Sequence, residues 1–301
     1  MRALAAVLLV AAFAATASAK LPPPPSEAVV VPTGRAPCGI AARAGSLWIG
    51  VYETGRLVQL DDRTGRLEGS IDVGPWACRV AVGPAAVWVT RDRPGEVVRI
   101  SRGTGRVHRM LVGRGAFDVL LAARSLWTTS YDTAAIARFD PVTRTVVRVY
   151  KDGPKPAGIA SCGGRLWVGH GDASTWLTQI DPSSNAMRRV DVVHRAPGWP
   201  RCVRGELWVT TADSVLQMNP RTGALVGHYR LGGTPAEAAA GPDGLVWVTD
   251  KERSLVHRID GANRHVLDSF SAGPGAYTLA RAGDAMWVTS FAGADVRKFV
   301  P

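Results

Sequence analysis

The chain has 301 residues, 46% of them apolar and 20% charged, a composition that buries a large core and excludes a disordered or collagen-like polymer. Its formal net charge of +11 is carried mostly by arginines spread through turns and strand ends, which argues for a basic solvated surface over a nucleic-acid groove. The only long apolar stretch lies at the extreme N-terminus, so no transmembrane helix is expected in the mature protein.

Met1 and Arg2 make a positive start, residues 3–15 an apolar run, and Ala17-Ser18-Ala19 a small-residue cleavage site. Together they read as a secretory signal peptide over residues 1–19, removed near Ala19. The prolines at 22–25 follow at once and stiffen a tether over residues 20–27. The folded part is then residues 28–301, exported to the periplasm or the cell exterior.

A pair of an apolar residue and Trp recurs along that part: Leu47-Trp48, Val87-Trp88, Leu126-Trp127, Leu166-Trp167, Leu207-Trp208, Val246-Trp247 and Met286-Trp287. The spacings are 40, 39, 40, 41, 39 and 40 residues. Repetition at this length with strand-like composition predicts an all-β chain, a seven-bladed β-propeller of four-stranded antiparallel blades.

Within a unit the strands follow from turn chemistry. In the fourth, residues 158–161 form a small-residue first strand, Gly163-Gly164 a tight turn, 166–169 a second strand carrying the Trp, 177–181 a third and 187–192 a fourth. Small residues such as Gly39-Ile40-Ala41-Ala42 suit strands crowded round a central channel, and each Trp fills the wedge between blades. After Trp287 there is room for one more strand, 295–300, so residues 28–31 are expected to complete blade seven and close the ring.

Four cysteines in an exported chain point to two bridges. Cys38 and Cys78 each lie ten residues before their blade's Trp, and Cys162 and Cys202 lie five and six before theirs. Of the three connectivities, the repeat register selects Cys38 with Cys78 and Cys162 with Cys202, because only then do partners occupy neighbouring equivalent places.

Loops before first strands and after second strands gather at one channel mouth, where a ligand is expected. They supply Trp76, Arg79, Phe117, Asp118, Trp199, Glu237 and Tyr277 on one side, and Tyr52, Arg91, Asp92, Tyr131, His170, Asp250, Lys251 and Phe291 on the other. Mixed charge with aromatics suits a polar organic molecule or a peptide. The alternative is that these residues pair among themselves, Arg79 with Asp118 and Asp250 with Lys251. The other five histidines fall toward the rim, and neither a triad nor a metal cluster is apparent.

The phrases Leu166-Trp167-Val168, Ala137-Arg138-Phe139-Asp140-Pro141 and Pro156-Ala157-Gly158-Ile159-Ala160 resemble the seven-bladed propellers of the virginiamycin B lyase (streptogramin lyase) and YVTN-repeat group. That resemblance implies a Trp-Phe-Thr-Glu phrase whose Glu, with histidines of adjacent incoming loops, arranges magnesium and an eliminating base. Here the third residue after each Trp is Val51, Arg91, Ser130, His170, Thr211, Asp250 or Ser290, and the matching loop positions hold no histidine. The expected function is therefore a monomeric, cofactor-free and metal-free binding module for an envelope protein, peptide or anionic polymer. The alternative is a divergent lyase or lactone hydrolase using His170 and Asp250.

Overall fold

A computed structural model describes residues 22–151, 153–171, 174–192 and 194–301; the leader lies outside them. Twenty-eight strands, numbered β1 to β28 in chain order, form seven four-stranded antiparallel sheets among the described residues. The inner strands are β2 (Pro37–Arg43), β6 (Ala77–Val82), β10 (Ala116–Ala122), β14 (Pro156–Cys162), β18 (Trp199–Val203), β22 (Pro235–Ala240) and β26 (Ala276–Ala282).

Local chemistry explains the meander. The turn from third to fourth strand is capped by a side-chain carbonyl oxygen that accepts backbone N–H groups two and three residues on: Asp61 from Arg63 and Thr64, Asp140 from Val142 and Thr143, Asn219 from Arg221 and Thr222. Gly65 and Gly223 then take φ of +76° and +80°, the left-handed step that turns the chain back.

The blades are held together by the tryptophans. Trp48 packs on Val87, Val89 and Ile100 of the next blade, Trp127 on Leu166, Val168 and Ile180, and Trp287 on Leu47, Ile49 and Leu60 of the first, so the wedges run round a closed ring. All seven are buried. Each contributes roughly 4 to 6 kcal/mol of gross burial before conformational entropy is subtracted.

Closure occurs as the sequence implies. β1 (Ser26–Pro32) pairs antiparallel with β28 (Asp295–Val300), from Ser26 opposite Val300 to Pro32 opposite Asp295. The strand starts two residues before the expected one, and ahead of it the carbonyls of Pro22 and Pro23 accept hydrogen bonds from Arg258 at 3.2 and 2.8 Å. The N-terminal segment is thus tied to blade six from Pro22 onward.

Both expected disulfides are present, with Cα separations of 4.8 Å for Cys38–Cys78 and 5.2 Å for Cys162–Cys202. Two such bridges indicate an oxidising, extracytoplasmic environment. No helix among the described residues is long and apolar enough to cross a membrane.

Candidate functional site

Seven inner strands bring one residue each to the same level, nine residues before the wedge Trp and ten in blade six: Gly39, Arg79, Asp118, Gly158, Trp199, Glu237 and Thr278. Two rungs further along, the residue paired with the wedge Trp is Ala41, Ala81, Leu120, Ala160, Ala239 or Ala280 in six blades and Arg201 in the fifth.

These positions build a charged plug across the axis. Arg201 donates through Nε to Glu237 Oε1 at 2.5 Å and through Nη1 to Asp118 Oδ2 at 3.3 Å, while Arg79 donates through Nη1 to Glu237 Oε2 at 2.9 Å. The Asp118 carboxylate also accepts the backbone N–H groups of Val119 and Ile159. Burial opposes the Arg201 charge, yet Glu237 and Asp118 outweigh it and hold its pKa above the ordinary value. Two guanidiniums face two carboxylates, so the plug is formally neutral. On its hairpin side lies a cavity of about 400 Å³ walled by inner strands, among them Ile40, Val80, Val82 and Leu121.

On the other side of the plug an aromatic collar spans the mouth. Ring centroids run from Tyr131 to Phe117 at 5.5 Å, Phe117 to Trp199 at 5.9 Å, Trp199 to Tyr277 at 6.3 Å, Tyr277 to Phe291 at 5.4 Å and Phe291 to Tyr52 at 6.3 Å. Beneath it sit Cys38 and Cys78, packed with Tyr52, Tyr277 and Phe291. The Tyr52 hydroxyl donates to Asp92 at 2.6 Å, and burial together with that carboxylate pushes its pKa up to about 12.

Cations border these rings. The Arg79 guanidinium carbon lies 5.2 Å from the Tyr277 centroid and 5.8 Å from that of Trp199, and Lys251 Nζ lies 4.8 Å from Tyr277 and 4.2 Å from Phe291. Lys155 Nζ lies 5.3 Å from Tyr131. Among the described residues, Nε and Nη2 of Arg79 are buried without a hydrogen-bond partner, and no carboxylate comes within ion-pair distance of Lys251. Burial, then the charge of Arg79, holds Lys251 below its ordinary pKa.

The structure therefore brings Arg79, Asp118 and Glu237 together in the plug and Phe117, Tyr131, Trp199, Tyr277 and Lys251 together in the collar. The pairings considered from sequence differ in detail: Arg79 bonds Glu237 rather than Asp118, and Lys251 rests on rings rather than on Asp250. Trp76 stands apart from the collar, stacked by Arg93 at 5.2 Å, and Arg91 is taken up by Glu96 at 2.6 Å.

His170 and Asp250 occupy different blades as buried structural groups. His170 places Nδ1 3.1 Å from the Pro154 carbonyl and Nε2 2.9 Å from the Thr178 hydroxyl. Asp250 accepts the backbone N–H groups of Thr234 and Arg253 at 3.1 and 3.0 Å, with His257 Nε2 3.4 Å away. His257, on the third strand of its blade, is buried against Asp250. Among the described residues no three His, Cys, Asp or Glu side chains are grouped so as to hold a metal ion.

Sequence reasoning missed Arg201 and Lys155. Arg201 left a signal, an arginine in a column otherwise filled by alanine and leucine. Lys155 left none, being one of many basic loop residues.

No protein-family model matches the sequence, and no curated protein matches it. Solved structures do. A streptogramin B lyase structure superposes with a TM-score of 0.78 at 15% identity, covering 90% of this chain and 97% of that one. A catalytically inactive form of virginiamycin B lyase from Staphylococcus aureus with quinupristin gives 0.80 at 14% identity, over 92% and 99%. The chain shares their seven-bladed fold. Hydrazine synthase from Kuenenia stuttgartiensis is similar too, with a TM-score of 0.76 at 14% identity over 89% of this chain and 96% of that one, so the architecture is common to proteins of different names.

Proposed function

We propose that this propeller is an exported, monomeric binding module that recognises an organic anion with an apolar or aromatic body, such as a peptide carboxyl terminus, at the collar. The observation that carries the reading is the placement of Arg79 and Lys251 beside one ring, Tyr277, with no carboxylate of the described residues within ion-pair distance of Lys251. Arg79 is buried and already paired with Glu237, yet its charge still opposes that of Lys251, and an anion at Lys251 relieves that opposition while its body lies on the rings. A charge-assisted hydrogen bond to such a ligand contributes about 1.5–3 kcal/mol. His170 and Asp250 already have their hydrogen-bonding capacity engaged in holding loops, which favours binding over turnover.

Isothermal titration with N-acetyl-phenylalanine and with its amide tests the reading, since the two differ only in the charged group. The acid is expected to bind, the amide about tenfold more weakly, and Lys251→Met is expected to abolish that difference. Equal affinity for acid and amide would contradict it.

A further inference from the structure

A second surface lies on the rim, away from the collar. The outer strands of blades two and three are β9 (Val107–Leu111) and β13 (Val146–Lys151), and between them runs a groove of about 400 Å³ lined by residues 108–111 with Phe139, Arg144 and Val146. Six of the ten exposed large hydrophobic side chains among the described residues fall here: Val107, Leu111, Val142, Val146, Val147 and Val149. The other four, Val30, Leu67, Met187 and Leu225, are spread one to a blade. Scattered exposed apolar residues need no explanation, but a contiguous set does.

The charge of this sector is predominantly basic, with Glu96 paired to Arg109 at 3.3 Å. Residues 97–117 contain five arginines and no acid, and residues 141–151 contain Arg144, Arg148 and Lys151 and no acid. Arg109 and Arg144 line the groove beside His108, whose pKa is held below its ordinary value by desolvation and then by the charges of Arg144, Arg106 and Arg99. The outer strands of blades one, four, six and seven, by contrast, carry Glu68 and Asp72, Asp191, Asp268 and Glu27. Only one side of β13 is paired, with β12 (Ala135–Phe139), leaving its other backbone edge open. β-Branched residues at an open edge are what strand addition uses.

We propose that the rim of blades two and three docks an extended, acidic segment of a partner protein, which adds as a strand to the edge of β13. Charge selects the occupant. A second copy of this chain would bring arginines against arginines, whereas a strand alternating acidic and apolar residues meets both the basic groove and the exposed valines.

Fluorescence polarisation with the whole mature protein and an end-blocked peptide of alternating glutamate and valine tests this. The peptide is expected to bind, its lysine-valine counterpart not to bind, and the exposed double substitution Val147→Thr/Val149→Thr to weaken binding on the order of tenfold at an unchanged melting temperature. Polyglutamate binding as tightly as the glutamate-valine peptide, indifferent to the double substitution, would overturn the proposal in favour of an anionic-polymer surface. Self-association that the double substitution abolishes would overturn it in favour of a second copy, and absence of peptide binding would overturn it outright.

Discussion

Arg201 Nε lies 2.5 Å from Glu237 Oε1, and the same guanidinium reaches Asp118 of blade three at 3.3 Å. One side chain from blade five therefore ties two other blades together across the axis and separates the collar from the cavity on the hairpin side.

Removing one member of the plug leaves its buried charges unbalanced. Glu237→Gln, which removes the carboxylate charge and one of the two acceptor oxygens and leaves Asp118 alone against Arg79 and Arg201, is expected to cost about 3–5 kcal/mol, whereas neutralising all four side chains together is expected to cost less. Urea denaturation of the two variants checks the ordering.

The disulfides close loops of equal length, with a sequence separation of 40 in each case. Their chain-entropy contributions are therefore alike, roughly 4 kcal/mol each. Only Cys38–Cys78 packs under the collar. Serine replacement of either pair is expected to lower the urea midpoint similarly, while ligand titration responds to loss of Cys38–Cys78 and not of Cys162–Cys202.

Deleting residues 22–32 removes β1, takes Val29 and Val31 away from the packing around Trp287, and exposes the edge of β28. The two valines alone account for about 3 kcal/mol. A chain of this size then melts roughly 6–12 °C lower. Calorimetry of the truncated protein measures the shift, and an unchanged melt would deny that β1 closes the ring.

His257 is buried against Asp250 and Ser269, and burial, with Arg253 acting in the same direction, outweighs Asp250 and holds its pKa below the ordinary 6.5. The unfolded chain then takes up a proton at higher pH than the folded one. The stabilisation is complete above pH 6.5 and is lost as pH falls below it. His108 and His228 act with the same sign. The turn aspartates, whose pKa values fall below 3.8 because each accepts hydrogen bonds in its turn, add a separate loss at stronger acid. Melting temperatures are expected to drop between pH 7 and 5, and His257→Gln is expected to flatten that slope.

The architecture was legible because its cause is periodic. Each wedge Trp must meet the next blade at the same height, so Trp48 through Trp287 recur in register, and the cysteine pairs inherit that register. The collar was legible in part for the same reason: Trp76 and Trp199 stand outside the periodic wedge positions, although only Trp199 belongs to the collar. The plug was not, because Arg201 acts across the axis on blades three and six, and distances across a ring are not written in a linear repeat. His170 and Asp250 stood out as chemistry-bearing types in a loop position, yet the same position serves to cap the loop, and only the observed hydrogen bonds separate the two uses. The basic apolar rim was hidden because residues 97–117 and 141–151 become one surface only when blades two and three stand side by side.

The most direct measurement is a crystal structure of the protein grown with N-acetyl-phenylalanine. A carboxylate within roughly 3 Å of Lys251 Nζ, with the phenyl ring against Tyr277 or Phe291, is the expected result. Ligand density confined to the cavity on the hairpin side of the plug, with the collar empty, would contradict it.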